Sequence, residues 1–258
     1  MILFFDIDGT IWDYKNYIPD STKEAIRLAQ EKGHKCFINT GRARAFVYSK
    51  ELLSLGFDGI VSSCGCMIEY NNEVLFNRLI SRDEGIRTME AMKKYDFKPI
   101  LEGPTYLYMN RSDFEGDMYG EKVMTEMGDR LLCIDDNWGN WEMNKLSCIC
   151  PTSTRDACFD ELSDLYDFML HTETIAEMVP KGFNKGTGII EICKLLGENP
   201  RNTVAFGDSI NDKEMLETAG TSVAMGRASD ETKALADIVT TYLEDDGIWN
   251  AMKKLDLI

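Results

Sequence analysis

Asp6 and Asp8 stand directly after the apolar run Ile2-Leu-Phe-Phe5, two residues apart and followed by Gly9 and Thr10. Thr40-Gly41-Arg42 follows a second run, Lys35 to Asn39, and Asp208, Asn211 and Asp212 follow a later one, Thr203 to Phe206. Lys185 opens the helical pattern that precedes that last run. Most of these polar groups lie just past a segment that reads as a buried strand, and open α/β sheets bind ligands at the carboxyl ends of their strands. Four carboxylates converging on one crevice cannot all stay ionised unless positive charge is present. One lysine and a divalent cation supply it, and an all-oxygen carboxylate site with room for water suits Mg2+.

The elements that must hold these groups follow from periodicity. Ile2 to Phe5 is continuously apolar, as befits a strand buried on both faces of a parallel sheet. Ser21-Thr-Lys-Glu24 reads as a capping box opening a helix, with Ala25, Ile26, Leu28 and Ala29 as its apolar stripe and Gly33 as its stop. Lys35 to Asn39 predicts a second strand, the stretch beyond Arg42 a helix to about Leu55, and Gly59 to Ser63 a third strand. The same grammar returns later: a helix from about Lys185 to Leu196, a strand over Thr203 to Phe206, a helix from Asp212 to Thr218, a strand from Ser222 to Met225 and a helix from Ser229 to Ala236. Strands separated by helices of this length imply right-handed crossovers and an open parallel, Rossmann-like sheet.

Between these halves the pattern changes. Two helix–strand pairs, around Asp83 to Tyr95 and Ser153 to Asp167, are set among aromatic-rich extended pieces such as Pro104 to Met109. The expected organisation is an α/β core over residues 1–81 and 179–258 with an inserted α+β domain over 82–178.

Bulk composition narrows the function classes. The chain has 258 residues, 28 Lys and Arg against 44 Asp and Glu, and a formal charge of −16. So acidic a surface repels nucleic-acid backbones and anionic lipid, yet one metal ion and one lysine suffice to reverse the field locally for a small anion. The N-terminal stretch lacks the basic and apolar regions of a signal peptide, and no apolar run approaches the ~20 residues of a membrane span. Eight cysteines in that context read as free thiols in a reducing, cytoplasmic compartment.

Plainer readings of the same residues are weaker. Asp6-x-Asp8-Gly9 as a calcium loop fails because Ile11 occupies the obligatory glycine position. Asp208 alone would read as an ordinary helix N-cap. Lys185-Gly-Thr-Gly188 lacks the Gly-Lys-Ser/Thr ending of a phosphate-binding loop. Cys64-Gly-Cys66 and Cys148-Ile-Cys150 are too closely spaced for a structural zinc site, and only two histidines, His34 and His171, exist to help. Trp138, Trp141, Tyr106 and Tyr108 suit core packing before a sugar-binding face, and Arg42 and Arg44 suit either substrate recognition or a helix start.

Taken together, Asp6-Ile-Asp8-Gly9-Thr10, Thr40-Gly41-Arg42, Lys185-Gly186 and Gly207-Asp208-Ser209-Ile210-Asn211-Asp212 resemble, in order and spacing, the four motifs of the haloacid dehalogenase-like superfamily. The insertion resembles the type IIB cap of its Cof-type hydrolases. The resemblance implies a Mg2+-dependent phosphatase acting on a small phosphorylated metabolite, mostly sugar phosphates among such relatives. It gives Asp6 the role of nucleophile forming an aspartyl phosphate, and Asp8 that of general acid and then base. Thr40, with Gly41 and Arg42, and Lys185 and Asn211 would contact the phosphorylated substrate. Asp6, the Asp8 carbonyl and Asp208 would hold the cation, with Asp212 orienting Lys185 or metal-bound water. Lys181-Gly182 competes with Lys185-Gly186 for the lysine role, and Cys64-Gly65-Cys66 stands where relatives carry Asn-Gly-Ala. Rival readings are a phosphomutase or phosphotransferase with the same Asp6 chemistry and a non-catalytic module with a phosphorylatable aspartate. A receiver of that last kind has no need of Asp8.

Overall fold

The apolar run Ile2–Phe5 is fully enclosed because it sits at the centre of an eight-stranded sheet. A computed structural model describes residues 1–258. The strand order is Ile238–Val239, Thr221–Ala224, Thr203–Gly207, Ile2–Phe5, Lys35–Asn39, Gly59–Ser62, Met67–Tyr70 and Glu73–Asn77. The first six are mutually parallel, and Ile2–Phe5 lies between Thr203–Gly207 and Lys35–Asn39, so Phe5 is opposite both Phe206 and Ile38. The parallel sheet is extended by Met67–Tyr70, which runs antiparallel to Gly59–Ser62. The turn after it is Asn71-Asn72, both at positive φ, as a two-residue hairpin demands.

The chain divides into two compact units. The first comprises Met1–Gly41, Tyr48–Phe76 and Asn184–Ile258, and the second Arg42–Val47 and Asn77–Phe183. Set against the expected borders at 82 and 178, the second unit is longer at both ends and also takes in six residues after Gly41. It carries a six-stranded sheet ordered Tyr166–Leu170, Ile175–Pro180, Lys145–Ile149, Lys98–Glu102, Leu107–Tyr108 and Leu131–Leu132. Helices Arg82–Lys94 and Arg155–Leu162 bury Met89, Met92, Cys158 and Leu162 with Leu146, Cys148 and Met178 on one face of it. Ile100 and Leu107 pack instead with Phe114, and with Val123 and Met127 of the helix Met118–Met127. Trp141 and Tyr108 belong to the first of these cores, while Trp138 and Tyr106 are exposed.

Two local expectations are corrected. The first helix begins at Asp20, with Pro19 as its N-cap, so Ser21 and Glu24 form no capping box. Pro19 already directs the chain into the helix two residues earlier, which leaves the Ser21 hydroxyl without a partner and Glu24 bonded to Arg27. The helix expected from Arg42 to Leu55 is a short 3-10 turn, Arg44–Phe46, and a separate four-residue helix, Lys50–Leu53. Tertiary bonds override propensity there. The Ala45 N–H donates to the Gly103 carbonyl at 3.3 Å and its carbonyl accepts from Arg130 at 2.8 Å, so this stretch packs within the second unit.

Candidate active site

Asp6 leaves the end of the central strand with its N–H bonded to the Phe206 carbonyl at 3.0 Å, so its side chain emerges beside the loop that follows Thr203–Gly207. Lys185 reaches the same spot from the first turn of helix Lys185–Leu196. Asn184 caps that helix, and its side chain and that of Thr187 satisfy each other's backbone N–H groups. The Lys185 carbonyl in turn accepts from the Asn39 amide at 2.9 Å, which ties the helix start to the second strand. The Lys185 ammonium donates to Asp6 Oδ1 at 2.7 Å, Asp212 Oδ1 at 2.6 Å and Asn211 Oδ1 at 3.1 Å. Lys181, the competing lysine, donates to the Ser163 carbonyl in the second unit.

Asp212 has both oxygens engaged. Its Oδ1 takes Lys185, while Oδ2 accepts the backbone N–H groups of Asp208 and Ser209 at 2.9 and 3.1 Å. Asn211 Oδ1 receives Lys185 and the Ser209 hydroxyl, so the amide NH2 is what Asn211 has left to offer a ligand. Gly9, at φ +75°, passes so near Asp208 that a Cβ there would lie 2.1 Å from Asp208 Oδ2. Only glycine permits that approach.

Asp6 Oδ1, Lys185 and Asp212 Oδ1 are sealed from water, since Asp6, Lys185 and Asp212 are 4, 2 and 0 % exposed. Burial raises the Asp6 carboxyl well above the usual carboxylate range against the pull of Lys185, and Asp212, Asp8 and Asp208 push it the same way. Burial, then Asp212, lifts Asp208 to about 7. Lys185 is held protonated by Asp212 and Asp6 in spite of its burial. One ammonium thus faces the charges of Asp6, Asp8, Asp208 and Asp212, and the site is short of positive charge.

This deficit is the test of whether a divalent cation fits. Carboxylate oxygens of Asp6, Asp208 and Asp212 lie within 4.8 Å of one another. The two Asp212 oxygens are already committed, so Asp6 and Asp208 are the carboxylates available to a cation, with Asp212 orienting Lys185 and the Asp208 backbone. An all-oxygen donor set with raised carboxyl values fits Mg2+.

The remaining expected residues fall as follows. Asp8 is exposed, and its Oδ1 accepts from the Trp12 indole at 3.0 Å. Thr40 is buried at the end of Lys35–Asn39; its N–H donates to the Val61 carbonyl, and its own carbonyl accepts from Cys64 N–H. Gly41 closes that segment of the first unit, and Arg42 belongs to the second. Cys64 adopts a left-handed conformation (φ 54°, ψ 39°) next to Ser63 at φ 52°. None of the eight cysteines is in a disulfide. The sequence reading passed over Trp12, Ser209, Asn39 and the Asn184–Thr187 cap; only the cap had a visible signal, an Asx residue three before a hydroxyl at a helix start.

An open α/β sheet with a carboxylate–lysine cluster at its carboxyl edge and an inserted α+β unit defines a class of phosphoryl-transfer hydrolases. The sequence profile of the haloacid dehalogenase-like hydrolases matches residues 3–252, and the chain belongs to that family, in its Cof-type branch. It is 31% identical to YkrA of Bacillus subtilis, which carries a provisional phosphatase name, over all of this chain and 98% of that protein. It is 28% identical to a phosphoglycolate phosphatase of Methanobrevibacter smithii, covering 98% of this chain and 97% of that one. Among solved structures, the subclass IIB sugar phosphatase BT4131 superposes with a TM-score of 0.82 at 29% identity, over 100% of this chain and 99% of its own. No helix is long and apolar enough to cross a membrane.

Proposed function

We propose that the protein is a Mg2+-dependent phosphatase of small phosphorylated metabolites, sugar phosphates foremost, acting through an aspartyl phosphate on Asp6. The observation that carries this reading is the buried Asp6–Lys185–Asp212 arrangement beside Asp208, where the raised carboxyls of Asp6 and Asp208 call for a cation. Bound to Asp6, the Asp8 carbonyl and Asp208, Mg2+ would neutralise charge on the phosphoryl group and keep Asp6 ionised.

The chain's own groups do the rest. Asp6 attacks phosphorus in line as the bond to the leaving oxygen breaks, and Asp8 gives that oxygen its proton. Lys185, Thr40 and the Asn211 amide hold the phosphoryl oxygens. Asp8 then takes a proton from water as its oxygen bonds phosphorus, and the Asp6–phosphorus bond breaks to free phosphate and Asp6. Gly41 and Arg42 would assist in substrate recognition. The sugar-phosphate class is supported by the sugar phosphatase BT4131, the broader class of small phosphorylated metabolites also by the phosphoglycolate phosphatase, and the absence of disulfides among eight cysteines supports a cytoplasmic setting.

A panel of phosphorylated sugars and p-nitrophenyl phosphate, assayed with Mg2+ and with chelator, tests the proposal. Metal-dependent phosphate release that is abolished in a folded Asp6→Asn variant is the expected result. Activity equal to wild type in that variant overturns the mechanism, and phosphate passing to a second sugar instead of water would make the enzyme a transferase.

A further inference from the structure

Asp8 occupies the exposed shoulder of a six-residue loop, Ile7 to Trp12, that closes on itself directly after the central strand. Gly9 N–H donates to the Trp12 carbonyl at 2.9 Å, Trp12 N–H donates to the Ile7 carbonyl at 3.2 Å, and Asp8 and Trp12 are paired as an isolated bridge. Trp12 itself is 4% exposed, while the carboxylate it touches faces solvent. Its indole N–H donates to Asp8 Oδ1 at 3.0 Å.

We infer that Trp12 is a positioning residue for Asp8, restraining the rotamer of the carboxyl and favouring Oδ2 as the seat of its transferable proton. The inference rests on the acid–base role proposed above. An exposed aspartate on a turn samples several rotamers, and an anchor already immobilised by burial restrains it with little additional loss of freedom. Indole is a donor only. The hydroxyl oxygen of a carboxylic acid is a weaker acceptor than its carbonyl oxygen, so an Oδ1 that accepts the indole N–H favours the carbonyl form and places the proton on Oδ2. That proton passes to the leaving oxygen as its bond to phosphorus breaks. In the second half-reaction Oδ2 takes the proton of the attacking water as its oxygen bonds phosphorus and the Asp6–phosphorus bond breaks. No other residue type presents an N–H at that reach on so apolar a body, and phenylalanine keeps the bulk without the donor.

The test compares kcat/KM of wild type, Trp12→Phe and Asp8→Asn on a primary alkyl phosphate and on p-nitrophenyl phosphate, at saturating Mg2+. This ratio reports the step in which the leaving group departs, and nitrophenolate needs little protonation. Trp12→Phe is expected to lower the alkyl value on the order of tenfold and the nitrophenyl value by less than about twofold, a muted copy of the Asp8→Asn pattern. Equal losses on both esters, or none on either, overturn the clamp while leaving the Asp6 chemistry intact. Equal losses in Asp8→Asn remove Asp8 from the acid role and the clamp with it, and an active Asp6→Asn sinks the parent reading. If Trp12→Phe unfolds, the isosteric 3-benzothienylalanine at position 12, which replaces N–H by sulfur, gives the same readout.

Discussion

Asp208 holds its proton to about 7, against an ordinary 3.8, because burial and the nearby Asp212 disfavour its charge. Asp6 is shifted the same way. A carboxyl raised in the folded chain binds its proton more tightly there than in the unfolded chain. Its stabilising contribution is whole below the unfolded value and is lost as pH climbs through the folded one. A cation binding the same oxygens must displace those protons, so its hold tightens over the same range. The rise in melting temperature on adding Mg2+ is therefore expected to be larger at about pH 8 than at about pH 6, by thermal unfolding in chelator and in Mg2+. A rise that shrinks toward alkaline pH would mean these carboxylates do not hold the ion. At this scale the sequence was informative through the set and not through single residues: Asp208 alone reads as a helix N-cap, but Asp6, Asp8, Lys185 and Asp208 together stand at strand or helix ends that point to one crevice. Trp12 was silent, because a tryptophan four residues past an aspartate reads as core until its N–H is seen on Asp8 Oδ1.

Among the elements, the turn after Gly59–Ser62 bears the most conformational strain near the site. Ser63 and Cys64 are consecutive non-glycine residues at positive φ, and the Ser63 hydroxyl is buried without a partner. Left-handed backbone costs roughly 1–2 kcal/mol for a residue with a Cβ, and an orphaned hydroxyl roughly 1–3. Glycine removes both while adding under about 1 kcal/mol of chain entropy. Ser63→Gly is thus expected to stabilise the fold by about 1 kcal/mol, seen as a higher denaturation midpoint with unchanged denaturant dependence. A lower midpoint would show that the hydroxyl is satisfied in solution. Which elements were legible follows from where their determinants lie. The central strand announced itself by an unbroken apolar run, and helix Lys185–Leu196 by its apolar periodicity. Residues Arg42–Val47 misled because what holds them, Gly103 and Arg130, is remote in sequence. The hairpin formed by Met67–Tyr70 and Glu73–Asn77 was missed although Asn71-Asn72 marks its turn, since Val74, Leu75 and Phe76 are all exposed and show no one-faced alternation.

Taken whole, the chain is strongly anionic at −16, and its expected substrates are anions. Long-range repulsion slows their encounter, and added salt screens it over a Debye length of about 8–10 Å. The kcat/KM for a phosphate monoester is therefore expected to rise between low and roughly physiological ionic strength, measured by titrating a monovalent salt at fixed Mg2+. A steady fall would show that positive charge local to the site dominates the approach.

The same whole-chain view bears on how the molecule is made. Asp6 and the lysine that grips it are 179 positions apart, and the strand bearing Asp6 is flanked on one side by Lys35–Asn39 and on the other by Thr203–Gly207. At roughly 5–20 residues per second, a ribosome needs on the order of 10 to 40 s between delivering the two. For that interval the nascent chain carries an apolar strand with one neighbour missing, while every residue of the inserted unit is completed before Lys185 appears. Birth order thus runs from one strand pair, through the insertion, to the reactive centre, and a polypeptide interrupted before Thr203–Gly207 leaves an exposed hydrophobic edge for chaperones or proteases to find.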